Sequence, residues 1–273
     1  MFNDEQIERY SRLIILPEVG GKGQKKLTEA GVLCLGAGGL GSPAALYLAA
    51  AGIGRLGIVD ADAVDLSNLN RQVLHATADI GRPKVVSARE KLIALNPHVE
   101  IVAYEARAGV DNIAALVADY DVVLDGTDNF ATRFLVNDAC FFAGKPLCHG
   151  SIFRFEGQAT TLFPGRGPCY RCLYPEPPPA DLVPNCQQAG VFGAIAGIIG
   201  VTQAIEALKC VLGIGELLIG RLLVFDAVEM SFRALKFYRN PDCALCGGAP
   251  TITELVSYDE SCQLAGTACP TAG

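Results

Sequence analysis

Short apolar runs alternate with helix-prone stretches through the first two thirds of the chain. Residues 32–36, 56–60, 99–103 and 121–125 read as strands. Small residues over 42–51 predict a helix after the first strand. A second helix is expected over 85–95, entered through Pro83 and stopped by Asn96-Pro97. Helical stretches also follow the third and fourth strands. Such alternation is the signature of a doubly wound, mainly parallel sheet.

Beyond Gly150 the rhythm changes. Residues 158–163 predict a strand. A Pro- and Cys-bearing loop of about twenty-five residues follows, longer than ordinary connections. A long helix is expected over 190–212, where Gly193, Gly197 and Gly200 would let its backbone approach the sheet; 222–226 and 232–238 predict an antiparallel hairpin. The expected fold is therefore α/β, a Rossmann-like doubly wound sheet with an antiparallel C-terminal extension. It forms one domain over 1–258, followed by a flexible tail over 259–273.

Charge and composition narrow the classes. With 51% hydrophobic and 19% charged residues, the chain has ample material for a core and is not intrinsically disordered. Twenty-nine acidic against 22 basic residues leave a net charge of −7, which argues against nucleic acid as a partner. The start, Met1-Phe2-Asn3-Asp4-Glu5, has no basic region leading into an apolar one, so no signal peptide is expected. No charge occurs between Asp181 and Glu206, but polar residues interrupt that stretch and 191–202 is too short to span a bilayer. A buried helix and no membrane association are expected there. Eleven cysteines in a chain of this kind suggest thiols and metal ligands in a reducing, cytoplasmic setting rather than disulfides.

Candidate chemistry begins at Gly36-Ala37-Gly38-Gly39-Leu40-Gly41, which fits G-x-G-x-x-G between a strand and a helix. Glycines allow the backbone to turn tightly and approach a phosphate, and the helix N-terminus supplies free N–H groups. Asp60 ends the next strand, where a carboxylate can bind ribose hydroxyls. Alone, this pattern suggests a dinucleotide enzyme; a glycine turn used only for packing is the bland alternative.

Three later clusters fit hydride transfer poorly. Ser67-Asn68-Leu69-Asn70-Arg71-Gln72 follows the second strand, Lys84 opens a helix, and Asp125-Gly126-Thr127-Asp128-Asn129 sits at the carboxyl end of another strand. Arg and Lys can stabilise charge developing on phosphate oxygens, and Asp can hold magnesium. Singly, Arg71 and Lys84 would be surface charges and Asp128 a helix N-cap; together they point to phosphate chemistry.

Cys169-x-x-Cys172 and Cys243-x-x-Cys246 form two C-x-x-C pairs. Four thiolates suit a closed, structural zinc site. Two unrelated pairs, one of them redox-active, are the weaker alternative, since neither opens a helix in a thioredoxin-like unit. Cys34, Cys140, Cys148 and Cys210 fall in apolar runs and read as small core residues. His75, His98 and His149 have no ligand spacing among them.

At this point the chain resembles the MoeB/ThiF/HesA family, relatives of ubiquitin-activating enzymes that adenylate the C-terminus of a partner protein. The resemblance rests on Arg9-Tyr10-Ser11-Arg12, the glycine turn, Asp60-Ala61-Asp62, 67–72, Gly81-Arg82-Pro83-Lys84, 125–129, both C-x-x-C pairs and Glu206-Ala207-Leu208-Lys209. It covers roughly residues 4–258 and implies a nucleotide part over about 28–150 and a carrier-binding and zinc part over about 151–258. It implies that ATP phosphates lie against Gly38, Gly39 and Gly41, with Asp60 on the ribose. Ser67, Asn68, Leu69, Asn70 and Asn129 would line the nucleotide. Asn68, Arg71 and Lys84 would contact phosphates and neutralise the transition state, and Asp128 would coordinate Mg2+. Arg12 would reach into the neighbouring subunit's site, making a homodimer, and Cys186 would be a candidate for a covalent bond to the partner.

The implied reaction is ATP-dependent adenylation of a small ubiquitin-like sulfur carrier ending in Gly-Gly. Its adenylate would become a thiocarboxylate with sulfur from a separate donor protein. Thr251-Ile252-Thr253-Glu254-Leu255 resembles the molybdopterin branch, whose members often continue into a rhodanese domain that these residues do not contain. The thiamine carrier, or another sulfur carrier, is the alternative within the family. Rivals from other classes are an NAD-dependent oxidoreductase and an inactive zinc-stabilised scaffold. Replacing Arg71 or Lys84 by alanine is expected to abolish most adenylation and leave the fold intact.

Overall fold

The computed structural model describes residues 2–177 and 190–258. Eight strands form one sheet in the order β3-β2-β1-β4-β5-β6-β7-β8. These are β1 Gly31–Leu35, β2 Arg55–Val59, β3 Glu100–Tyr104, β4 Val122–Asp125, β5 Leu147–Phe153, β6 Glu156–Leu162, β7 Arg221–Asp226 and β8 Ser231–Lys236. The first five run parallel and the last three antiparallel. The expected hairpin thus extends the same sheet. β5 was not foreseen; it pairs with β6 through a two-residue turn in which Arg154 takes a left-handed conformation (φ 52°).

Helices cover both faces. They are α1 Asp4–Ile14, α2 Gly20–Glu29, α3 Gly41–Ala51, α4 Lys84–Leu95, α5 Ile113–Ala118, α6 Phe130–Ala143, α7 Tyr170–Leu173 and α8 Ala194–Leu212. Alternate residues of β1 divide between two cores, as a strand's period of two requires. Val32 and Cys34 join α3, α4 and α8, whereas Leu33 and Leu35 join α5 and α6. Strands covered on both sides lose their polar residues, which is why these runs read as continuously apolar.

α8 begins four residues later than expected, with Gly193 as its N-cap. By length and composition it could cross a membrane, but in this fold it packs on α3 and β4–β6. Glu206 and the Gln203 amide nitrogen are buried and bonded, whereas Gln203 Oε1 has no partner among the described residues. Glu206 accepts from the Thr161 hydroxyl, the Leu218 amide and Lys209, which explains the Glu206–Lys209 pairing in the sequence. The glycines of α8 do not serve the sheet as expected. A Cβ at Gly200 would lie 2.3 Å from the Leu40 carbonyl oxygen and one at Gly193 2.4 Å from that of Asn70, whereas Gly197 faces open space. Close approach here is to the glycine turn and the 67–72 segment.

Candidate active site

β1 and β4 are neighbours in the sheet but not in sequence, so the connections leaving their carboxyl ends diverge and open a crevice, the usual ligand position in such sheets. The glycine turn follows β1 and occupies it. Gly36 adopts φ +97°, and a Cβ on Gly41 would lie 1.8 Å from the Gly36 carbonyl oxygen, so no side chain fits there. Gly38 and Gly39 line the cleft with Asp60, Asp62, Arg71, Gln72, Lys84, Arg107, Asp128, Asn129 and Arg133.

The turn is held by side chains from two directions. The Ala37 amide donates to Asp60 Oδ2 at 2.8 Å, and the Ala37 carbonyl accepts from His75 Nε2 at 2.9 Å and from the Ser42 hydroxyl. Asp60 also accepts from the Asp62 amide through Oδ1. This carboxylate, read from sequence as a ribose ligand, therefore has a structural task as well, and each oxygen keeps a second lone pair for a ligand. Lys84 is buried with Nζ 2.8 Å from Asp62 Oδ2 and 3.9 Å from Asp60 Oδ1. Its place at the first residue of α4 follows from Gly81 (φ +83°), the N-cap Pro83, and Arg82 bound to Asp79 and Glu90.

The 67–72 segment divides its labour. Arg71 Nη1 donates to the Ser67 carbonyl and to Asn70 Oδ1, both at 3.0 Å, so those residues aim Arg71. The Ser67 hydroxyl is taken by Asp65. Ser67, Asn68, Leu69 and Asn70 do not line the cleft, and neither does Gly41. Two consecutive glycines meet two consecutive side chains: the Cβ position of Gly38 faces the Gln72 amide at 3.5 Å, and that of Gly39 faces the Arg71 stem at 3.6 Å.

At β4 the helix cap is Asn129, whose Oδ1 accepts from the Thr132 amide at 2.8 Å. Asp128, the residue expected to serve as cap on a purely structural reading, makes no side-chain hydrogen bond or ion pair among the described residues and lines the cleft, so its carboxylate is available to a cation. Beneath, the buried Asp125 binds His149 at 2.7 Å and the Thr127 hydroxyl. Burial opposes its ionisation, but His149, Arg133 and Thr127 hold its carboxyl below the ordinary range. Gln203 of α8 donates to the Asp125 and Cys148 carbonyls, tying the ends of β4 and β5. His149 is thus a partnered core residue.

Sequence reasoning missed Gln72 and Arg133. Gln72 adjoins Arg71 in one motif and could have been found by that adjacency; Arg133 lies one turn into α6 with no spacing signal. Arg12 is exposed on α1 and lies outside this chain's cleft. The rest of its motif anchors the helix. Arg9 donates to the Leu95 carbonyl, and buried Tyr10 accepts from Asn96. Cys186 lies outside the described residues, as do Cys262 and Cys269.

The four cysteines converge, all Sγ atoms lying within 4.8 Å of one another. The close pairs are 3.9 Å (Cys169–Cys172), 3.6 Å (Cys169–Cys243) and 3.3 Å (Cys172–Cys246). A tetrahedron of ~2.3 Å metal–sulfur bonds has edges of about 3.8 Å, so the cluster fits a metal ion. Burial and the neighbouring thiols push Cys169 up, and burial takes Cys172 to about 11, so without a cation these two stay protonated at neutral pH. Cys169 caps only the single turn α7, and the convergence of four thiols leaves no isolated redox pair among the described residues. Behind the cluster, Arg171 makes a two-pronged bond to the buried Asp138 of α6 at 3.0 and 2.7 Å, linking it to the helix that carries Asn129 and Arg133.

Comparisons with known proteins agree with this geometry. Residues 10–245 match the ThiF family. Over 265 residues the chain is 51% identical to the sulfur carrier protein adenylyltransferase of Thermus thermophilus, covering 95% of this chain and 98% of that protein. Over 266 residues it is 51% identical to the adenylyltransferase and sulfurtransferase MOCS3 of Anopheles gambiae; the match covers 97% of this chain but 60% of that longer relative. The E. coli MccB structure with ATP shares the fold, with a TM-score of 0.73 at 22% identity over 90% of this chain and 75% of its own. From α1 to the second cysteine pair, the chain belongs to the ThiF family.

Proposed function

We propose that this chain adenylates the C-terminal glycine of a small ubiquitin-like sulfur carrier, using ATP and Mg2+, and so prepares it for thiocarboxylate formation with sulfur from a separate donor protein. The observation that carries the reading is the convergence of Arg71, Lys84 and a free Asp128 on one glycine turn, a set that hydride transfer leaves without a task. The half-identical Thermus relative bears a name of the same chemistry.

In the reaction the carrier's carboxylate attacks the α-phosphorus, the new O–P bond forms, and the bond to the β-phosphate breaks with pyrophosphate as leaving group. One anion must approach another, so cations have to offset the repulsion before bonding begins. Arg71, aimed by Ser67 and Asn70, lines the cleft with its stem beside Gly39 and can present its guanidinium to the phosphates. The Lys84 ammonium has three donors and can keep Asp62 while reaching a phosphate. Asp128 would hold magnesium, which supplies charge neutralisation on the phosphates when bound.

The adenylation domain spans 1–258 in this reading, with the nucleotide over about 28–150 and the carrier and zinc over about 151–258. Exposed Val228, Met230 and Phe232 around β7–β8, with Phe155 and Phe192 in a tilted ring contact at 5.8 Å, offer apolar surface to a carrier. Arg12, exposed and outside its own cleft, would act on a second copy in a homodimer, as the family resemblance implies. The cysteine cluster would hold structural zinc. The molybdopterin-synthase small subunit is the favoured carrier, and the cytoplasm the favoured compartment.

The test is to incubate the protein with candidate carriers, ATP and magnesium, and follow carrier mass. Gain of one AMP by a carrier ending in Gly-Gly is expected. No gain with any carrier, alongside intact nucleotide binding, overturns the assignment.

A further inference from the structure

We infer that Gln72 binds the nucleotide directly, its side-chain amide donating to a phosphate oxygen above Gly38; the identity of that anion rests on the adenylyltransferase reading. Gln72 is 5% exposed and lines the cleft. Its Oε1 is buried without a partner, and among the described residues its Nε2 makes no hydrogen bond either. A buried acceptor without a partner is uncommon, because leaving such a group unmade costs more than a formed bond returns. The Nε2 end, which is not among the fully buried atoms, is left as a free donor facing the cleft. Exchanging the amide's nitrogen and oxygen does not help, since both ends lack partners.

Position says which ligand would meet the free donor. The Gln72 backbone is fixed, its amide donating to the Asn68 carbonyl and its carbonyl accepting from the His75 amide, both at 3.0 Å. The side chain therefore leaves from the same turn that aims Arg71. Its Nε2 lies 3.5 Å from where a Gly38 Cβ would stand. That is the space a glycine leaves open for a phosphate, with turn amides on one side and the Arg71 stem over Gly39 beside it. A neutral donor adds a hydrogen bond to the anion without enlarging the cationic charge that Asp60 and Asp62 already balance on Lys84.

Equilibrium binding of ATP and of adenosine to the wild type, Gln72→Met and Gln72→Glu, with thermal unfolding of each free protein, tests this. Methionine has nearly the shape of glutamine and no hydrogen-bonding end. Gln72→Met is expected to weaken ATP about tenfold or more, as loss of a bond to a charged group does. Adenosine binding should stay unchanged and the free protein should be as stable as wild type or more so. Gln72→Glu should weaken ATP further by like-charge repulsion, and it decides the matter if the methionine variant does not fold. ATP affinity within twofold of wild type in the folded variants overturns the inference. So does a parallel loss of ATP and adenosine binding with a lowered unfolding midpoint, which marks Gln72 as a packing residue. If ATP binding depends on Gln72 while no carrier gains AMP, the proposed function falls and this assignment stands.

Discussion

His75 Nε2 lies 2.9 Å from the carbonyl oxygen of Ala37, at the centre of the glycine turn. A carbonyl can only accept, so Nε2 carries the proton. Nδ1 then accepts from the Ser87 hydroxyl at 3.0 Å, which itself accepts from Lys91. The neutral ring is thus written into the network that shapes the turn.

That geometry sets a pH dependence. Burial, then the charges of Lys91 and Lys84, push His75 below its ordinary 6.5, against the pull of Ala37 and Asp79. A histidine held neutral in the fold contributes stability in full above 6.5, and the contribution shrinks as pH falls through the depressed folded value. Asp79 does not interfere: although burial opposes it, Lys91 and the Ala76 amide hold its carboxyl at about 2, so its contribution is lost only as pH falls from 3.8 through that value. Urea midpoints should drop from pH 7.5 to 5.5 in the wild type, and less in His75→Gln. Equal drops in both proteins would contradict the assignment.

Arg71 and Lys84 should part company when replaced by alanine. Both variants are expected to lose ~10²–10³ in pyrophosphate exchange, the cost of one preorganised stabiliser. Arg71 is half-exposed and, among the described residues, its side chain bonds only to its own segment, so Arg71→Ala should unfold with the wild type. Lys84→Ala leaves buried Asp60 beside Asp62 without its cation, and should unfold earlier by roughly 1–3 kcal/mol. Thermal unfolding of the two variants decides it.

Two glycines of α8, three residues apart, should respond oppositely to alanine. Gly197 faces open space, so Gly197→Ala is expected to stabilise by about 0.5–1 kcal/mol through helix propensity. At Gly200 the added carbon would lie 2.3 Å from the Leu40 carbonyl, forcing α8 away from the glycine turn. Gly200→Ala should lower both the unfolding midpoint and nucleotide affinity, readable in one titration series.

The Arg171–Asp138 pair should be far more sensitive to loss of one partner than of both. Either single replacement by an apolar residue strands a buried charge, at a cost of about 3–5 kcal/mol. The double variant Arg171→Met with Asp138→Leu should recover much of that in denaturant unfolding. Additive losses would show that the pair is not the unit.

Metal content is the direct check on the cysteine cluster. Elemental analysis should find one zinc per chain, and chelation should lower the unfolding midpoint and expose four titratable thiols. Cys172→Ser and Cys246→Ser should each reduce zinc content in step with that midpoint. A zinc-free protein with unchanged stability would remove the metal from the proposal.

Much of this site was legible in the linear chain because its signals are local. A strand, a glycine turn and a helix start are set by dihedral preferences and hydrogen bonds spanning a few residues, so 36–41, Pro83-Lys84 and each C-x-x-C pair declare themselves by spacing. Apolar runs covered on both faces likewise declare a parallel sheet. What adjacency cannot reveal is which polar residue faces the ligand and which holds a neighbour. Asp60 gripping Ala37 depends on β1 lying beside β2 in register, Leu35 against Val59, and His75 reaches the same residue across 38 positions. Ser67 and Asn70 turned out to aim Arg71, Asn129 took the cap and left Asp128 free, and Gln72 was left facing Gly38. The two cysteine pairs, 74 residues apart, meet only because the last strands and α7 lie on one edge of the fold. Local chemistry chose the residue types, and the packing of distant segments chose their partners, since contact energies at that range depend on sheet register and helix docking that no short window of sequence contains.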